Sequence, residues 1–159
     1  MPVHDSSPDL TRIGRDARKA ALALNGISGI ARQNAIASMP KKLINIKPKL
    51  MEANAADVAD AEKAGLAQPL VKRLKITEKV FTYMLNRLEE VAALPDPVGR
   101  VLAGHTRPDG LKVEKRSVPL GVIGIIYESR PNVTTDAAAV CLKSGNAVIL
   151  RGGSESLRT

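Results

Sequence analysis

Leu120-Gly121-Val122-Ile123-Gly124-Ile125-Ile126 is the stretch whose reading decides the fold. Its apolar and β-branched residues run on without alternation, as in a strand covered on both faces. Ala147-Val148-Ile149-Leu150 repeats the pattern further on. Between the two, Thr134 or Thr135 can cap a helix that continues through Lys143, and Gly145-Asn146 stops it. Strand, helix and strand in about 30 residues form a βαβ unit, whose strands must be parallel.

Doubly wound sheets usually hold about five or six strands, so two parallel strands do not stand alone. The expectation is a chain cut inside a larger α/β domain: N-terminal helices, a β-hairpin, then the first βαβ unit of a truncated Rossmann-like parallel sheet.

Upstream, Arg107-Pro108-Asp109-Gly110 separates Val101-Leu102-Ala103 from Leu111 to Val118. Pro fixes φ, Asp bonds the local backbone and Gly accepts φ > 0, which makes a turn. Lys115 interrupts the apolar phase, so the hairpin is expected to be exposed and partly wetted, with His105 a solvated strand-end residue. Leu94-Pro95-Asp96-Pro97 connects it to the helices before it.

Those helices read as follows. Ser7 and Pro8 open one over 8–24, with Leu10, Ile13, Ala17, Ala20 and Leu24 at helical spacing and Asn25-Gly26 ending it. A second starts near Ser28. Pro40 and Pro48 split residues 28–50 into two short helices, because each Pro removes a donor and crowds the preceding turn. Asn54 to Lys63 is Ala-rich and helical, closed by Gly65. Thr77 caps a helix to about Ala93, whose Val80, Phe81, Met84, Leu85, Leu88 and Val91 form one apolar stripe, read as core. The division is thus 1–100 helical, 101–119 hairpin and 120–159 βαβ.

The chain has 159 residues, 24 Lys+Arg against 16 Asp+Glu, and a net charge of +8. That charge suits phosphates, in nucleic acid or in a small substrate. Only Phe81, Tyr83 and Tyr127 are aromatic, so base-stacking platforms are scarce and nucleic acid is not the expected partner. One cysteine, Cys141, excludes an internal disulfide and a multi-Cys metal site. No run approaches about 18 apolar residues, so no membrane span is expected. The N-terminus lacks the order of a secretory signal, and cytoplasmic residence is the default.

Ligands of open α/β sheets bind beyond the carboxyl ends of the strands. Tyr127-Glu128-Ser129-Arg130-Pro131-Asn132 and Arg151-Gly152-Gly153-Ser154-Glu155 lie there. Arg151 offers a fork of donors for a phosphate, Ser154 a hydroxyl, and the glycines let backbone approach closely. Gly-Gly after a strand is also, more often, simply a turn, and the G-x-G-x-x-G fingerprint is absent. Asn132 can donate to a developing oxyanion or merely cap the helix. Glu128 and Arg130 can pair or face a charged substrate. Cys141 reads as a buried structural thiol. Lys143 and Lys41-Lys42 read as solvated charge.

The run Val118 to Thr134, with Cys141 to Glu155, closely resembles the γ-glutamyl phosphate reductases, also called glutamate-5-semialdehyde dehydrogenases, of the aldehyde dehydrogenase superfamily. Ala53-Asn54-Ala55-Ala56-Asp57, Ala64-Gly65-Leu66 and Asp96-Pro97-Val98-Gly99 extend the resemblance over nearly the whole chain. It implies an aldehyde dehydrogenase-like fold and NADPH-dependent reduction of L-glutamyl 5-phosphate to the 5-semialdehyde, with release of phosphate, in proline biosynthesis. The implied route is displacement of phosphate by a cysteine thiolate, then hydride reduction of the thioester. By the same resemblance Asn132 takes the oxyanion role. Ile126 and Tyr127 border the nicotinamide side of the NADPH/NADP site, and Arg151, Ser154 and Glu155 hold its adenosine ribose and phosphate. The hairpin of about 101–119 becomes an oligomerisation element of a homo-oligomer, and the preceding glutamate kinase a candidate partner. The nucleophilic Cys falls beyond Thr159, so the 159-residue chain by itself is expected to be inactive. The alternatives are a non-catalytic fragment that associates with full-length subunits and a basic nucleic-acid-binding module.

Overall fold

A computed structural model describes residues 9–128 and 130–159. Five helices, α1 (Leu10–Leu24), α2 (Gly29–Lys63), α3 (Gln68–Leu74), α4 (Glu78–Ala93) and α5 (Pro131–Lys143), accompany four strands, β1 (Val101–Thr106), β2 (Lys112–Arg116), β3 (Val122–Ile126) and β4 (Ala147–Arg151). A short 3-10 turn, Ser154–Ser156, follows β4.

The parallel pair forms as the apolar runs predict. Val122 opposes Ala147 and the register runs to Ile126 opposite Arg151. Asn146 starts this ladder: its side-chain carbonyl accepts from the Gly121 amide at 2.8 Å, while Gly121 returns its own carbonyl to the Ala147 amide at 2.9 Å. The strands are not, however, covered on both faces. Ile126 is 80% exposed, Gly124 is exposed too, and the rest of β3 is only partly buried. Among the described residues, α1 and α5 are the helices that pack on β4. A groove of about 780 Å³ between them is lined by Ala17, Leu24, Leu142 and residues of β4.

The core lies where α2, α4 and α5 meet. Ile36, Leu88, Val91, Ala92 and Ala139 are buried together, with Met39, Leu43 and Leu142 against them. Phe81 and Met84 are buried as the α4 stripe requires, and the Thr77 hydroxyl accepts from the Val80 amide to cap that helix. The Lys47 ammonium sits 4.9 Å over the Phe81 ring and pairs with Glu78 at 2.7 Å, joining α2 to α4.

Four further expectations give way. Residues 28–50 are not two helices. Ser28 caps one 35-residue helix that contains both Pro40 and Pro48. Each proline deletes one backbone bond, but Ile36 and Pro40 are buried, and packing of that face on α4 and α5 outweighs the local cost. The first helix is capped by Asp9, which accepts from the Arg12 amide at 3.0 Å; Ser7 and Pro8 lie outside the described residues. Helix α5 starts at Pro131, not at Thr134 or Thr135, because Pro needs no donor in the first turn and its φ already suits a helix. Both threonines are inside it, and the Thr135 hydroxyl donates to the Asn132 carbonyl at 2.9 Å. Lys143 is not solvated: it is 5% exposed, and its ammonium donates to the Ala92 carbonyl at 2.8 Å, at the end of α4.

Helix ends follow the glycines. Gly65 and Gly145 take φ of 73° and 74°. After α5 the Gly145 amide donates to the Leu142 carbonyl and the Asn146 amide to that of Cys141, the paired closure that needs a left-handed residue; Gly65 and Leu66 repeat it after α2. The hairpin is antiparallel and exposed in every residue of both strands, as expected, with a register irregularity between Val101 and Ala103. In its turn the Asp109 carboxylate accepts from the Leu111 amide at 3.1 Å, and Gly110 has φ 86°.

Candidate functional site

The carboxyl ends of β3 and β4 are adjacent because the strands are parallel and in register. Ile126 and Arg151 face each other on the last rung, and the Tyr127 amide extends the ladder to the Arg151 carbonyl at 3.1 Å. The half-buried Tyr127 reaches in two directions. Its hydroxyl shares a 2.6 Å hydrogen bond with Thr134 in α5, and its ring lies beside Gly152, where an added Cβ would stand 3.6 Å from the phenol oxygen. Tyr127 therefore spans the crevice between the β3 end, the first turns of α5 and the loop after β4. Ile126 and Arg151 are exposed at its mouth, as are Glu128 and Arg130.

Asn132 is half-buried in the first turn of α5, and its side-chain amide donates to Asp136 Oδ2, one turn along, at 3.2 Å. That bond occupies one of its two N–H groups. Cys141 is buried, and burial pushes its thiol up, opposite to what a nucleophile needs.

Ser154 and Glu155 turn toward α2. They border a cleft of about 530 Å³ together with Asp57, Asp60, Leu157 and Arg158. Asp57 is only 3% exposed and collects four donors from the chain after β4: the amides of Arg158 (3.1 Å) and Thr159 (2.9 Å), the Thr159 hydroxyl (2.8 Å) and the Arg158 guanidinium (3.0 Å). Burial alone would raise its carboxyl, but the Thr159 and Arg158 donors outweigh that and hold it below the usual carboxylate range. Arg158 also pairs with Asp60 at 2.8 Å. One turn earlier, buried Asn54 donates to the Leu74 carbonyl (2.9 Å) and accepts from the Ile76 amide (2.7 Å), fastening the link between α3 and α4.

So the structure joins Ile126, Tyr127 and Arg151 at one strand end and sets Ser154 and Glu155 on the cleft against α2. Asn132 sits at the start of the helix opposite. Sequence reasoning missed Asn54, Asp57 and Asn146 as architectural residues. A signal existed: Asn54 and Asp57, three apart in an Ala-rich helix, are polar side chains on a packed face.

A γ-glutamyl phosphate reductase of Methylocella silvestris is 51% identical over 158 residues, covering 97% of this chain and 37% of the relative. The crystal structure of the γ-glutamyl phosphate reductase of Thermotoga maritima superposes with a TM-score of 0.90 at 39% identity, over 93% of this chain and 36% of that one. By sequence and by fold, this chain belongs to the γ-glutamyl phosphate reductase family. It spans little more than a third of the length of the reductases it matches. No family model matches it. A NAD-dependent benzaldehyde dehydrogenase of Corynebacterium glutamicum shares the fold alone, at TM-score 0.66 and 21% identity, over 89% of this chain and 28% of that one. The reductase resemblance and the aldehyde dehydrogenase-like architecture thus agree. Among the described residues, no helix is long and apolar enough to cross a membrane.

Proposed function

We propose that the strand-end crevice is the cofactor-binding part of an NADPH-dependent reductase. That enzyme converts L-glutamyl 5-phosphate to L-glutamate 5-semialdehyde with release of phosphate, the second step of proline biosynthesis from glutamate. The observation that carries the reading is the parallel β3–β4 ladder ending on Ile126 and Arg151, in a chain half identical to known reductases.

The residues fit the cofactor. Arg151 projects an exposed guanidinium at a strand end, suited to a phosphorylated ribose. Ser154 and Glu155 offer a hydroxyl and a carboxylate to ribose oxygens. At Gly153 an added Cβ would stand 2.0 Å from Glu155 Oε1, so a side chain there would displace that carboxylate. Ile126 presents an apolar wall and Tyr127 closes the crevice behind it. Bound NADPH supplies the hydride. Asn132 keeps a second amide N–H for the developing oxyanion. The thiolate that displaces phosphate belongs to sequence outside this chain, since Cys141 is buried in α5.

The exposed hairpin supports a role in subunit association. Leu102 in β1 and Leu111 just before β2 are more than half exposed, a hairpin surface that a second subunit can cover. A kinase that makes the labile acyl phosphate is the natural upstream partner, and cytoplasmic residence accords with NADPH as reductant. The chain is read as 1–100 helical, 101–119 hairpin and 120–159 the first βαβ of the cofactor domain.

The test is direct. The purified 159-residue chain, given NADP, phosphate and glutamate 5-semialdehyde, should show no turnover. Titration of the labelled chain with NADPH should shift the amide resonances of Tyr127, Arg151, Ser154 and Glu155. A titration that leaves those resonances unmoved overturns the cofactor reading, and turnover by this chain alone overturns the placement of the thiolate outside it.

A further inference from the structure

We propose that Asp57 is a positioning residue, which locks the segment after β4 onto α2 and so fixes where Ser154 and Glu155 stand. The inference rests on the reading above only for what the two positioned residues then hold.

A loop after a strand has no ladder to hold it and tends to move. Here the loop is short: β4 ends at Arg151, a single 3-10 turn covers Ser154–Ser156, and Arg158 and Thr159 follow. Asp57 takes both of their amides and one side-chain donor from each. Three of these bonds fall on Oδ2 and one on Oδ1. A carboxylate has about four lone-pair sites for acceptance, so this set nearly saturates it. Asp60, one turn on, doubles the hold on the Arg158 guanidinium. Asn54, one turn back, is within 3.4 Å of the Thr159 hydroxyl while it fastens Leu74 and Ile76. One face of α2 therefore grips both the segment after β4 and the link between α3 and α4.

The clamp is specific to a carboxylate. Asparagine has the same shape but a single acceptor oxygen, so it can keep at most part of the set and loses the ion pair. A glutamate would move the carboxylate outward by one methylene.

The test compares Asp57→Asn with the unaltered chain by amide hydrogen exchange under conditions where both are folded, with melting curves as the control for global stability. Exchange at Ser156, Arg158 and Thr159 should accelerate about tenfold or more in the variant, while amides of the α4 core keep their protection. Asp60→Asn, which retains the Asp57 bonds, should give a smaller change at the same amides. NADPH titration then reads the consequence: affinity should fall several-fold in Asp57→Asn with the same set of resonances shifting. Unchanged exchange after β4 overturns the clamp, as does acceleration spread evenly through α4. Should neither protein respond to NADPH while the local acceleration is seen, the clamp stands and the cofactor reading falls. If Asp57→Asn does not fold, Arg158→Gln, which removes the guanidinium from Asp57 and Asp60 but keeps both amide bonds, takes its place: a smaller acceleration at the same amides is expected, and unchanged exchange there overturns the clamp.

Discussion

Lys143, near the end of α5, donates its ammonium to the carbonyl of Ala92, in the last turn of α4, at 2.8 Å. The helix that leads into β4 is thereby tied to the negative end of the central core helix. Asp96 follows that helix end; the Val98 amide chiefly holds its carboxyl low, and Arg32 and the nearby Lys143 charge add to it.

Replacing Lys143 with Met keeps the length of the stem but removes the donor and leaves the Ala92 carbonyl without it. The expected loss is about 1–3 kcal/mol of stability. Urea denaturation of Lys143→Met beside the unaltered chain measures it, and a loss under a few tenths would show that the contact contributes little.

Gly29 begins α2 directly against Asp96. An added Cβ would stand 1.9 Å from Asp96 Oδ2, which itself pairs with the 4%-exposed Arg32 at 2.9 Å. Gly29→Ala should push the carboxylate off Arg32 and leave a buried guanidinium short of its partner. Breaking a fully buried pair costs about 3–5 kcal/mol. With the Asp96 side chain 37% exposed, about 1–2 kcal/mol is the expected cost. The melting temperature of the variant checks it.

Acid should unfold the chain through two carboxylates. The Val98 amide, against a smaller opposing effect of burial and with help from Arg32, holds Asp96 below the usual range. Asp57 is likewise held low. A depressed folded-state pKa means that the contribution is fully present above the unfolded value, about 3.9, and is lost as pH falls through the folded one. The denaturation midpoint should therefore be flat from neutral pH down to about 5 and drop steeply below about 4. In Asp57→Asn the drop should be shallower.

Pro48 lies on the exposed side of α2, in its interior. Pro48→Ala restores an amide donor and relieves the crowded turn without opening a cavity. A gain of about 1–3 kcal/mol is expected. Buried Pro40 is different, because the same change there also removes packed atoms, so Pro40→Ala should gain less. Thermal melts of the two variants rank them.

Much of this was open to reading in the residues. The Pro108-Asp109-Gly110 turn, the Thr77 cap and the glycine closures after α2 and α5 depend on neighbours within a few positions, and the parallel βαβ unit on the order of two apolar runs about a helix; each appears where the sequence puts it. The strand-end placement of Ile126, Tyr127 and Arg151 follows from that unit. The resemblance to the reductases was equally visible, because it resides in one long run of residues.

Tertiary structure decided what local preference could not. Whether α2 breaks at Pro40 and Pro48 depends on the face that α4 and α5 cover, and that burial carries the helix through both. Whether Lys143 is wet or dry depends on where α4 ends. Whether Asp57 is one more surface carboxylate or the anchor of the segment after β4 depends on residues a hundred positions away. Hydrogen bonds and burial of that kind join distant positions only once the chain has folded, so no single stretch of sequence carries them.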